Sequence, residues 1–66
     1  MTKEEYDDKR EPWYNKALVI NETGHGKFTR SVKARLREVA KLDSEYKGIS
    51  YDEAFKALLD EFGIKK

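Results

Sequence analysis

The stretch Gly48-Ile-Ser-Tyr-Asp-Glu53 restricts more than any other what this chain can fold into. Ser50 and Glu53 stand at the spacing of a capping box. The Ser50 hydroxyl can accept from the Glu53 amide, and the Glu53 side chain can reach back to the Ser50 amide. Asp52 and Glu53 face the positive end of the helix dipole. Gly48, just upstream, suits a left-handed residue that ends a preceding helix. From Tyr51, the residues Phe55, Leu58, Leu59 and Phe62 recur at i+4, i+7, i+8 and i+11, one apolar stripe on a helical period. Gly63 is placed to close a Schellman motif with Ile64 folding back towards Leu59, and Lys65 and Lys66 complement the negative end of the dipole. Start, stripe and stop agree on a helix beginning at Tyr51.

Upstream of Gly48, Val32, Leu36, Val39 and Tyr46 trace a second stripe, flanked by Ala40 and Leu42. This predicts a helix from near Ser31 to about Tyr46, with Asp43-Ser44 as the place where it could break. Its first turns carry Arg30, Lys33, Arg35 and Arg37, with no acid before Glu38. Cations at a helix N-terminus oppose the dipole, each at a cost of about 0.3–1 kcal/mol when exposed. Across residues 25–37 the charged side chains are Lys27, Arg30, Lys33, Arg35 and Arg37, all of one sign. One explanation is an external anion, such as a phosphate backbone. The plainer one is a solvated basic face balanced by carboxylates elsewhere in the chain.

The remainder is less regular. Residues 1–12 set five acids against three cations, with Met1 and Tyr6 as apolar groups, and are expected to form an acidic flexible tail ahead of a single small domain, residues 13–66. Pro12 suits either the first turn of a helix or the stiff approach to a strand. Trp13 and Tyr14 are expected to anchor a core or an interface. The apolar run Ala17-Leu-Val-Ile20 is too short for its period to decide. Its β-branched residues favour a strand over a short helix. Asn21–Gly26 is a loop by composition, and Lys27–Arg30 alternates as a short extended segment would. Gly24-His-Gly26 lacks the lysine and hydroxyl residue of a phosphate loop. His25 has no second histidine or cysteine with which to hold a metal.

Sixty-six residues make one domain, and with 41% charged and 38% hydrophobic residues its core is marginal. There is no cysteine to staple it, so dimerisation is the simplest route to more apolar burial. No segment approaches a membrane span or a signal peptide, which leads to the expectation of a cytoplasmic protein without membrane contact. No paired-carboxylate, nucleophile or cofactor pattern stands out, so neither an enzyme nor a cofactor is expected.

A short extended segment, a helix, a glycine turn with a serine cap, and a second helix reading S-Y-D-E-A-F-x-x-L-L-D-E-F resemble the ribbon-helix-helix family over about residues 26–63. These are small dimeric DNA-binding proteins, among them repressors and antitoxins. The resemblance implies a mostly α fold with a short β element, in which two copies of the extended segment pair as a ribbon in the major groove. His25, Lys27 and Thr29 would face the bases, and Phe28 the dimer core. Ser50 and Tyr51 would hold a phosphate on their amides, and Arg30, Lys33, Arg35 and Arg37 would add to the contact with double-stranded DNA. An alternative architecture pairs Ala17–Ile20 with residues 26–30 as an intramolecular β-hairpin followed by two helices. The functional expectation is a homodimeric DNA-binding regulator. The alternative function is a small protein-interaction module, an inhibitor or adaptor that binds a host protein through Trp13, Tyr14 and the acidic tail.

Overall fold

The computed structural model describes residues 1–64 and contains three helices: α1 (Lys3–Gly24), α2 (Thr29–Lys47) and α3 (Tyr51–Glu61). There is no strand among the described residues, which overturns both β-containing expectations. The segment read as an extended ribbon is instead the turn after α1 and the start of α2. The amide of Lys27 donates to the Gly24 carbonyl at 2.9 Å, and the Thr29 hydroxyl donates to the Gly26 carbonyl at 2.7 Å. Phe28, expected in a dimer core, precedes α2 and is 57% exposed, with its ring against Gly24.

Ala17–Ile20 lies inside α1, and so do residues 3–12, read above as a flexible tail. Helix wins over strand here because a face repeats at helical spacing once polar residues are counted. Tyr6, Arg10, Tyr14, Ala17, Asn21 and Gly24 are all buried or half-buried. Thr2 caps the helix by accepting from the Glu5 amide at 3.2 Å, and Glu4 and Glu5 occupy the first turn. Pro12 stands within the helix, where its missing amide removes one intrahelical bond. Burial of Ala17, fully enclosed, and of Tyr6 offsets that loss.

The expected α2 and α3 are present. Asp43-Ser44 does not interrupt α2, and Tyr46 lies near its end, 38% exposed and stacked on Tyr6 at 4.1 Å. Gly48 ends α2 in the left-handed region (φ 70°), its amide bonded to the Ser44 carbonyl at 3.0 Å. Ser50 caps α3 by accepting from the Glu53 amide at 3.1 Å. The reciprocal bond, from the Ser50 amide to the Glu53 carboxylate, is absent among the described residues. At the other end the amide of Gly63 donates to Asp60 at 3.0 Å and that of Ile64 to Leu59 at 2.8 Å, the paired bonds of a Schellman motif. The role expected of Lys65 and Lys66 lies outside the described residues.

Helix α2 runs between its two neighbours. It buries Val32, Leu36, Val39 and Ala40, and α1 and α3 each pack along it. Leu36 and Val39 are fully enclosed, joined by Ala17 from α1 and by Ala54, Leu58, Leu59 and Phe62 from α3. Tyr14 closes the far side of this core, edge-on to Phe62 at 5.3 Å.

Replacing Leu36 by Ala is expected to cost about 2–5 kcal/mol and to abolish the folded state at moderate temperature, read by circular dichroism during thermal melting. Ser50→Ala is expected to cost about 1 kcal/mol through loss of the cap. His25, in the left-handed region at φ 49°, should gain stability on replacement by Gly, seen as a raised melting midpoint.

Candidate nucleic-acid interface

The residues expected to meet DNA divide into one group that converges and two outliers. Helical spacing sets where each side chain on α2 points. Arg30, Arg37 and the additional Lys41 recur at i, i+7 and i+11 on the face opposite the buried stripe, and all three are exposed. Lys33 and Arg35 lie half-buried on the two flanks. Lys33 borders a shallow hollow with Asp52, Phe55, Lys56 and Leu59 of α3, and Arg35 another with Asn15, Lys16, Val19 and Ile20 of α1. The Arg35 Nη1 donates to the Ser31 carbonyl at 3.1 Å, while its buried Nε has no partner among the described residues. Lys27 and His25 sit exposed in the turn just ahead of α2, and Thr29 is half-buried and tied to Gly26.

Ser50 and Tyr51 do not join this group. They lie beyond the other end of α2, whose 19 residues rise about 28 Å. The Ser50 hydroxyl is already bonded to the Glu53 amide, and Tyr51 stacks on Phe55 at 5.9 Å. Asp52 and Glu53, exposed beside them, add negative charge. Sequence reasoning missed Lys16 and Lys41. The former was hidden because the stretch around it was not read as helix, the latter because the basic block was cut off at the first acid, Glu38.

The electrostatics at the start of α2 are unbalanced. No acid stands in its first turn, and Phe28 supplies no side-chain cap. The ion pairs among the described residues are Arg10–Asp43 at 2.9 Å and Lys41–Glu38 at 3.1 Å, so Lys27, Arg30, Lys33, Arg35 and Arg37 are in none. The orphan amides and the cations of this end add charge of the same sign, with Asp52 bordering the Lys33 hollow as the nearby acid.

At the opposite end a polar cluster is closed on itself. Asp43, 3% exposed, accepts from Arg10 Nε at 2.9 Å and from the Tyr6 hydroxyl. The Arg10 guanidinium also lies over the Tyr14 ring at 4.5 Å. Burial together with the bond to Asp43 pushes the Tyr6 phenol up to about 12. Burial works against the Arg10 charge, but the hydrogen bond and charge of Asp43 outweigh it and hold the guanidinium above its ordinary range. Tyr14 donates to the Glu61 carboxylate, and that bond, with burial second, raises its phenol as well. These groups hold α1 to its neighbours, with Arg10 also bordering an open hollow beside Asp7 and Glu11.

Among the described residues no group of His, Cys, Asp and Glu is arranged to hold a metal ion, and no helix is long and apolar enough to cross a membrane. Compared with protein-family models, curated proteins and solved structures, the chain matches none.

The Tyr6 contribution has a defined sign. Its folded phenol binds the proton more tightly than the unfolded one at 10.0, so its stabilisation is complete below pH 10 and is lost as pH rises towards about 12. Denaturant midpoints measured across that window should fall, and the fall should flatten in Tyr6→Phe, which also starts about 1–3 kcal/mol less stable at neutral pH for want of its bond to buried Asp43.

Proposed function

We propose that this chain is a small DNA-binding regulator that grips the phosphate backbone of duplex DNA with the basic end of α2. Arg30 and Arg37 are the principal contacts, with Lys27, Lys33 and Arg35 around them. The observation that carries the reading is the unpaired state of these five cations at a helix start lacking both acid and cap. Stability alone would place carboxylates there, as α3 does with Asp52 and Glu53. An outside polyanion supplies the missing charge at several points at once. The contacts are to phosphate, so the grip is tolerant of sequence.

A second reading, a protein-interaction module, draws on Trp13. It is 40% exposed and borders a hollow with Pro12 and Leu42, the position of an aromatic anchor at an interface centre.

Titration of fluorescent duplexes at increasing salt separates the readings. With five phosphate contacts, log K falls against log salt with a slope of about −4.5. Arg30→Ala reduces that slope by about 1 and weakens all sequences alike. Binding that is absent at low salt, or insensitive to salt, overturns the DNA reading. Function lost in Trp13→Ala but kept when Arg30 and Arg37 are both reversed to Glu supports the protein partner.

A further inference from the structure

A second stripe, on α1, remains unused. Glu5, Asp8, Pro12, Lys16 and Val19 follow one another at i, i+3, i+7, i+11 and i+14, and all five are exposed. Asp8 and Lys16 stand at equal distances from Pro12 with opposite charge, Glu5 adds a second acid one turn upstream of Asp8, and Lys9 lies at the border of the stripe. Its apolar members are Pro12 and Val19. Val19 is 57% exposed, and Trp13 beside the stripe 40%. The hollows along its edge are bordered by Trp13 and Leu42 near one end and by Val19, Ile20 and Arg35 near the other.

A surface whose charge reverses about its own midpoint is complementary to itself run backwards, the requirement for a two-fold contact between identical chains. We propose that this stripe is the interface of a homodimer, with α1 packed antiparallel against α1 of a second copy about an axis through Pro12. In that register Asp8 faces Lys16 of the second copy. Glu5, one turn away, flanks the same lysine, and the symmetry repeats the contact on the other side. The two Pro12 rings meet at the axis between the charge pairs, and each Val19 lies beyond a pair, against the methylenes of Glu5 of the second copy. Arg35 borders the Lys16 hollow with an unpartnered Nε, so it adds to the positive field that receives the acids. Charge complementarity selects a second copy as occupant: the same helix offers both halves of each pair. Arg35 is common to this contact and the DNA reading, but Glu5, Asp8, Pro12, Lys16 and Val19 belong to this contact alone, so substitutions at them test it separately.

A charge-swap experiment tests it. Sedimentation equilibrium of the full chain should show a concentration-dependent dimer that weakens with salt. The variant Glu5→Lys/Asp8→Lys and the variant Lys16→Glu each place like charges across the contact, so each alone should dimerise at least about tenfold more weakly. Mixed in equal amounts, they restore every pair in a heterodimer, and association should return. Circular dichroism of each variant establishes that it is folded, and Val19→Asp provides an independent disruption at the apolar contact. A monomer at all accessible concentrations overturns the proposal. So does a wild-type dimer that the single-sign variants leave unchanged, or a mixture that fails to associate.

Discussion

The buried carboxylate of Asp43 is the point on which the placement of α1 depends. It is 3% exposed, and its partners, Arg10 and Tyr6, both come from the N-terminal half of that helix. That half contributes only Tyr6 to the fully buried apolar set, so hydrophobic burial does little to hold it. A charge in this position is uncompensated without its partners, a state that typically costs 3–5 kcal/mol. The pair itself need not be strongly stabilising to fix where α1 lies: a shift of α1 that keeps Asp43 covered but separates it from Arg10 and Tyr6 leaves a carboxylate out of water with no partner. Docking there sets the register of the helix, and with it Ala17 falls into the gap beside Leu36 and Val39.

With α1 and α3 both committed to α2, the central helix is covered on two sides and keeps one face in solvent. Its N-terminal half is basic and its neighbours there offer no carboxylate in ion-pair range, whereas its C-terminal half holds the closed Asp43 cluster. The molecule thus separates the charges that build it from those that remain free. The separation spans only 34 Å in its longest dimension, yet it is enough to give the surface two distinct ends.

How far this was legible in the sequence differs between the helices for physical reasons. Helix α3 announces itself, because Ser50, Gly63 and the Phe55–Leu58–Leu59 stripe are local signals that the structure satisfies locally. Helix α2 was legible in its stripe but not in Asp43, whose burial depends on residues more than thirty positions away. Helix α1 was misread. Its inward face includes Arg10 and Asn21 and its outward face includes Leu18 and Val19, so an apolar tally gives no helical period. The β-branched pair Val19-Ile20 pointed to a strand, but packing of Ala17 against α2 overrides that preference. The resemblance to ribbon-helix-helix proteins rested on the two downstream helices, and the ribbon itself has no counterpart among the described residues. The basic face of α2 was found in part, and its extension to Lys41 and the neighbouring Lys16 follow from helix geometry that the sequence reading did not use.

Pro12 has a thermodynamic consequence. The carbonyl of Asp8 loses the amide that would have closed its turn, so α1 consists of two segments joined at a poorly bonded step. The upstream segment is attached by a guanidinium, a phenol and a carboxylate, the downstream one by dry contacts around Ala17. Loosening the first exposes the Tyr6–Tyr46 stack and Asp43, while loosening the second exposes the shared core and carries the larger part of the heat-capacity change. The amino end of the helix therefore contributes less to the heat-capacity change of melting than the half of α1 that follows the proline, which shares the core.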